Sequence, residues 1–390
     1  MNWKLFLNDS IIRGLVQLVR RPVYYIVMMV LPIATALFML ELMKGGAVEQ
    51  VPVGIVDRDN SQVSRTLHHN LDAFQQVNIK AEYPTFHEAM SAVQRGDIYG
   101  FILLPERLQE KTLSGQQPKI SYYINYAYFA PASLQYKGFK TVSMLGNAAI
   151  AKGTIEAVGL LNSHSVASLL QPILTHVHGI GNPYTNYSYY LNVSFIPGLL
   201  SLFIMLMTAF SIGTELKYGT CRQWIASAGR SMWFAILGKL VPHTVIFTSV
   251  GWFIQFLMYR VYGLPLNCPP WHMLIAMPML VIANQGFALF LMCVAPNFRL
   301  GTTLCTLLGV LSFSYCGFSL PSESIYSWVA AIGSIMPVKY YFLISVDQAL
   351  NGIDLFYSRH FYANLLVYPL LPLPLLTRLK NACLHPIYVP

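Results

Sequence analysis

Charge is scarce in this sequence. Lys, Arg, Asp and Glu make up 11% of its 390 residues, where soluble domains carry about 25%. Alongside 55% hydrophobic residues, that shortage excludes an ordinary soluble protein, and disordered, collagen-like and coiled-coil chains with it. Cysteine is sparse as well. The six are Cys221, Cys268, Cys293, Cys305, Cys316 and Cys383, with no CxxC pair, which excludes a disulfide framework and a zinc ribbon; as small apolar packers they need no further role. GxxxxGK[ST] is missing, since Gly238-Lys239 is followed by Leu240, so ATP finds no P-loop in this chain. GxSxG and HExxH are missing too, and no residue is assigned a catalytic role. The class that remains is an α-helical polytopic membrane protein. The net charge of +9 is then read as membrane orientation, not as a surface for nucleic acid.

A membrane-crossing helix needs about 20 mostly apolar residues. Charge-free runs occupy residues 22–40, 240–259, 300–322 and 360–377. Residues 261–298 are also uncharged, but Asn267, Cys268, Pro269 and Pro270 interrupt them, which leaves a span at 271–294. Of the uncharged residues 157–214, only 195–214 lack a polar Asn-, Ser- and Tyr-rich character. Six transmembrane helices result, at 22–43, 195–214, 240–262, 271–294, 300–320 and 360–378. One side of this topology holds 11 basic residues (Lys4, Arg13, Arg20, Arg21, Lys217, Arg222, Arg230, Lys239, Arg299, Arg378 and Lys380) and two acids, Asp9 and Glu215. The other side holds 14 of each sign. The positive-inside rule makes the basic side, with both termini, cytoplasmic. Residues 1–21 read as a cytoplasmic amphipathic helix, with Trp3, Phe6, Leu7, Ile11, Leu15 and Leu18 near one face. They lack the cleavage pattern of a signal peptide, and residues 379–390 form a cytoplasmic tail.

Residues 44–194 form an extracytoplasmic insertion large enough for its own core. Val51–Val56 reads as a buried strand, and Asp57, Asp59, Asn60 and Ser61 supply turn and cap chemistry. Strands at 79–83, 99–104 and 119–126 alternate with helical patterns, and an Ala-rich helical stretch runs through 130–163. The order predicts a small α/β (α+β) domain. His176 and His178 would share a strand face, but no third ligand accompanies them. Adjacent His68 and His69 fall on different helix faces, and no metal site is assigned.

The loop at 215–239 is the largest on the basic side. It reads Glu215-Leu216-Lys217-Tyr218-Gly219-Thr220-Cys221-Arg222-Gln223-Trp224 and closes on Gly238-Lys239. This resembles the permease subunits of ABC-2-type transporters, whose loop after span 2 runs Glu, a basic residue, Glu, any residue, Gly-Thr, then Glu, with Gly-Lys opening span 3. Lys217 and Arg222 stand where that pattern usually has acids. Residues 311–352 are similar to the family's segment after span 5, with Gly317, Pro321, Trp328, Pro337, Tyr340 and Gly352 in place. Val53–Ser61 looks like the opening of the external domain in the drug-efflux branch.

The resemblance implies a permease half in a bacterial inner membrane that exports hydrophobic or amphipathic compounds. A separate ABC ATPase subunit would bind ATP and Mg, and this chain needs no cofactor of its own. It further implies pairing with a second copy or a paralogous permease, and docking of a periplasmic adaptor. Glu215, Lys217, Gly219, Thr220, Arg222 and Trp224 would form an amphipathic coupling helix over 215–230, with Glu215 at its positive end. Gly317, Pro321, Trp328, Pro337 and Tyr340 would form the external gate on short helices at 321–358. Phe313, Tyr315 and Phe318 are candidates for the translocation path, although ordinary packing explains each singly. No ionisable residue sits mid-span, which disfavours a proton-coupled carrier. A sensing complex or receptor with a ligand-binding external domain stays open as the alternative.

Overall fold

The computed structural model describes residues 3–46, 50–114, 116, 118–127, 131–144, 186–318 and 326–385. The chain divides into two compact units: Ala47–His178, and Met1–Gly46 together with Gly179–Pro390. His176, His178, Pro321 and the later part of the expected 130–163 helix lie outside the described residues.

The smaller unit contains a four-stranded sheet. Its strands are β1 (Val51–Asp57), β2 (Val77–Glu82), β3 (Gly100–Leu104) and β4 (Ser121–Ile124), in the order β2-β1-β3-β4. β1 pairs in parallel with both neighbours, and β4 runs antiparallel to β3. Its sequence VPVGIVD is buried nearly throughout, as befits a central strand covered on both faces. The turn after β1 follows the local chemistry: Asp57 Oδ1 accepts from the amides of Asp59 and Asn60 at 2.9 and 3.1 Å, and Ser61 caps the helix Gln62–Asp72 by accepting from the Ser64 amide. Thr85 caps Phe86–Arg95: its hydroxyl oxygen accepts from the Glu88 amide at 3.3 Å and its O–H donates to the Glu88 carboxylate at 3.0 Å, and Gly96 ends the helix at φ +81°. Residues 131–144 are helical. His68 pairs with Glu82 at 3.0 Å, while neighbouring His69 takes no part.

The larger unit is helical. Among the described residues, four helices are long and apolar enough to cross a membrane: Pro22–Leu42, Tyr187–Lys217, Met232–Val261 and Pro270–Val294. A bent pair, Ser327–Ser334 and Pro337–Leu350, meets at 91° and would make a fifth if counted as one span. Two of the charge-free runs take another form. The described part of the run 300–320 falls on the 18-residue helix Phe298–Tyr315, beyond which Gly317 turns at φ +89°. Residues 360–378 fall on Leu355–Val367, then two 3₁₀ turns at Tyr368–Leu370 and Leu373–Leu375, then Leu376–Leu384. Pro369, Pro372 and Pro374 remove amide donors at closely spaced positions and prevent one continuous helix.

The helix expected at 195–214 runs longer, from Tyr187, where the Asn186 side chain caps it by accepting from the Ser188 amide at 2.8 Å. Pro197 is accommodated inside it. Its buried residues join those of Met232–Phe256 and Pro270–Val294 in the main core. Polar side chains stitch these helices together. Asn284 Nδ2 donates to Ser201 Oγ at 3.2 Å, and Gln255 Nε2 donates to Tyr341 Oη at 2.9 Å. Interhelical bonds of this kind hold apolar helices together where water is absent.

The N-terminal helix spans Trp3–Arg20, and its buried face differs from the expected apolar stripe. Ser10, Gly14 and Leu18 are buried against the bundle. A Cβ on Gly14 would lie 2.6 Å from the Gly238 carbonyl oxygen, and one on Gly238 would lie 2.1 Å from Ser10 Oγ. Small residues on both sides let the backbones touch. Ile12, Leu15, Val16 and Val19 are exposed on the outer side.

Candidate functional site: a buried charge hub beneath a basic loop

The link between Tyr187–Lys217 and Met232–Phe256 contains one short helix, Cys221–Ser227. Gly219 turns the chain into it at φ +68° with nothing beside its Cα hydrogens, a conformation in which glycine carries no steric penalty. Thr220 continues the turn, its amide donating to the Glu215 carbonyl at 3.0 Å.

Glu215 lies at the end of the long helix, not at the start of the short one, and is 2% exposed. The positive helix end expected to favour it is therefore replaced by side-chain donors. Lys239 Nζ donates to Oε1 at 2.8 Å, Gln17 Nε2 to the same oxygen at 2.7 Å, and Arg13 to Oε2 at 3.2 Å. The Thr220 hydroxyl also donates to Oε2. Lys239 is buried as well; its remaining contacts are the Ser211 carbonyl at 2.7 Å and the Trp224 ring, whose centroid lies 4.8 Å from Nζ. Trp224 donates from Nε1 to the Ala235 carbonyl at 3.0 Å. A buried ion pair is tolerable only when its spare donors and acceptors are satisfied, and here nearly all are.

The predicted coupling residues thus divide. Glu215, Thr220 and Trp224 are inward: they fasten the loop to the two long helices it joins and to the N-terminal helix. Burial removes Glu215 and Trp224 from any docking surface. Lys217, Gly219 and Arg222 are exposed, along with Tyr218 and Gln223, and this face carries basic but no acidic side chains. Arg222 Nη2 also reaches the Leu384 carbonyl at 3.4 Å. A hydrogen bond to Cys221, and then burial, push the Cys383 thiol above the ordinary thiol range. The part of Arg13 and Gln17 was not foreseen, since they precede Glu215 by about 200 positions.

Of the predicted gate residues, Trp328, Pro337 and Tyr340 lie on the bent helix pair. Pro337 begins Pro337–Ile344, where its missing amide costs nothing. Tyr340 Oη donates to the Ser334 carbonyl at 2.9 Å across the bend, and Tyr368 Oη donates to the Ile335 carbonyl at 3.0 Å. Gly333 admits the Tyr315 carbonyl, which would lie 2.0 Å from an added Cβ. Trp328 is 66% exposed. Of the predicted path aromatics, Phe313 and Phe318 pack against other aromatic rings of the same chain. Phe313 stacks on Phe195 at 5.5 Å and fills the space left by Gly198. Phe318 is buried against Phe342 at 4.9 Å, and its carbonyl accepts from the Tyr190 hydroxyl. Tyr315 is half-buried.

The bundle of long apolar helices, with a tethered polar loop between two of them, defines a multi-pass membrane protein. The family profile of the ABC-2 family transporter proteins matches residues 22–370. The chain belongs to that family, whose members are permease components of ABC transporters. No curated protein sequence matches it.

Proposed function

We propose that this chain is the membrane half of an ATP-driven exporter that moves hydrophobic or amphipathic compounds outward. A separate ATPase chain would bind ATP and Mg; none of that chemistry resides here. The chain would cross the membrane six times, the run at 300–320 and the broken segment at 360–378 supplying the two shorter crossings. The basic side and both termini would be cytoplasmic, and Ala47–His178 would stand outside, where an adaptor could dock. Two permease copies, or this chain and a paralogue, would enclose the path.

One observation carries this reading: the loop is clamped by the Glu215 hub while Lys217, Tyr218, Gly219, Arg222 and Gln223 remain exposed. A rigid, outward-facing element joined to two long helices transmits a pull, because a displacement of the loop moves both helix ends together. Basic side chains on its surface fit an acidic groove on the ATPase. In Lys217→Glu/Arg222→Glu, the ATPase is expected to stop co-purifying while the permease keeps its native size-exclusion profile. Undiminished co-purification with that variant would refute the docking face. The exposed Ile12, Leu15, Val16 and Val19 of the N-terminal helix suit lipid at the same surface.

A further inference from the structure

We propose that the cleft between Met232–Phe256, Pro270–Val294 and the proline-broken last segment holds one acyl chain of an anionic phospholipid. Its headgroup would sit on Arg230, Arg378 and Lys380. The cleft has a cavity of about 340 Å³, within the size range of small-molecule sites. Trp233, Leu237, Val241, Ile282, Leu289 and Pro372 are among its lining residues. It exists because the 3₁₀ turns at Tyr368–Leu370 and Leu373–Leu375 keep the last segment from lying as a straight helix against its neighbours. Gly286 is pinned against the Tyr368 carbonyl and Pro369, so this wall is fixed in place by backbone contact.

Length and charge select the occupant. Trp233 and Val245 both line the cleft, twelve positions apart on one helix. At 1.5 Å per residue that is about 18 Å, close to the ~15 Å depth of one leaflet's hydrocarbon. The lining is apolar apart from Thr244, whose hydroxyl donates to Gln285 Oε1 at 2.7 Å, and Gln285, whose Nε2 is buried without a partner among the described residues, so nearly all of the wall suits hydrocarbon. At the Trp233 end the cleft opens beside cations. Arg230 is exposed three residues before Trp233, and Lys380 Nζ donates to the Arg230 carbonyl at 3.2 Å. Arg378 is exposed two residues beyond the lining residue Leu376. Residues 222–240 and 355–385 contain no Asp or Glu, so neither segment neutralises this cluster. Trp233, 49% exposed, is the aromatic residue type that settles at a membrane–water interface. A phosphodiester over the cations with one tail below fits both ends.

This inference rests on the chain's residence in a membrane and not on its pairing with an ATPase, so its failure would leave the proposed export function standing. The test is native mass spectrometry of the detergent-purified chain with equimolar phosphatidylglycerol and phosphatidylcholine of the same tails. Phosphatidylglycerol should be retained roughly tenfold over phosphatidylcholine. Arg230→Gln/Arg378→Gln/Lys380→Gln should bring the two to parity. Val241→Trp, which fills the cleft from an exposed position, should lower retention of both, with an unchanged size-exclusion profile showing that the fold is kept. Equal retention of the two lipids by the wild type would overturn the headgroup assignment. Wild-type retention of phosphatidylglycerol by Val241→Trp, or its displacement by millimolar glycerol phosphate, would overturn the tail assignment.

Discussion

Replacing Lys239 by methionine removes the ammonium from the hub while keeping most of the apolar stem. The Glu215 carboxylate is then left 2% exposed with Gln17, Thr220 and one remaining cation, Arg13, at 3.2 Å. Removing one partner of a buried ion pair costs about 3–5 kcal/mol. The three surviving donors place this loss near the lower end, at roughly 3 kcal/mol. Glu215→Gln should cost a similar amount, because the buried Lys239 ammonium loses its anionic partner and is left with neutral acceptors and the Trp224 ring. The double variant leaves neither charge stranded beside the other's vacancy, so its loss should fall short of the sum by roughly 1.5–3 kcal/mol. Arg13→Ala should cost about 1 kcal/mol at most, since the Arg13 side chain is 22% exposed. Unfolding in mixed micelles with rising SDS, followed by tryptophan fluorescence, measures all four. Strict additivity of Glu215→Gln and Lys239→Met, or an Arg13→Ala loss equal to that of Lys239→Met, would refute the hub as a coupled unit.

Three further outcomes are expected. Gly238→Val should displace the N-terminal helix, because its Cβ would meet Ser10; overpacking of this kind costs about 1–3 kcal/mol, and limited proteolysis should cut the first 20 residues faster. Thr85→Ala should remove the cap of Phe86–Arg95 at about 1 kcal/mol, read by hydrogen exchange confined to residues 82–97 with the helical unit unaffected. Gly333→Ala should open the bend between Ser327–Ser334 and Pro337–Leu350, since the Tyr315 carbonyl occupies the place of its Cβ; faster maleimide labelling of the buried Cys316, whose Sγ lies 3.8 Å from the Gly333 carbonyl, reports it.

Local chemistry was legible in the sequence, and long-range chemistry was not. The Asp57 turn, the Ser61 cap and the central strand Val51–Asp57 follow from adjacent residues. The long apolar helices follow from uninterrupted runs between charges. Charge-free length, however, cannot register proline spacing, so the run at 360–377 conceals two 3₁₀ turns. It also misplaces the start of that segment, because Arg359 sits inside Leu355–Val367 with its guanidinium 4.1 Å from the Phe356 ring centroid. The polar, Tyr-rich character of residues 187–194 leaves them outside the expected span, yet Asn186 caps them into the long helix. At the site, the Glu215 and Lys239 signals were visible as opposite charges bounding the loop. Their burial was not, because it depends on Arg13 and Gln17 arriving from a helix that sequence periodicity oriented by its apolar residues, whereas the packed face is Ser10, Gly14 and Leu18.

The central claim is that the exposed face of the loop at 217–223 meets an ATPase. The most direct measurement is site-specific cross-linking in native membranes with a single introduced cysteine, since all six native cysteines are buried. Gln223→Cys, treated with a short bifunctional maleimide, should yield an adduct of this chain with an ATP-binding polypeptide, and Asn351→Cys, placed just past the end of the bent helix pair, should not. An adduct from Asn351→Cys with none from Gln223→Cys would contradict the account.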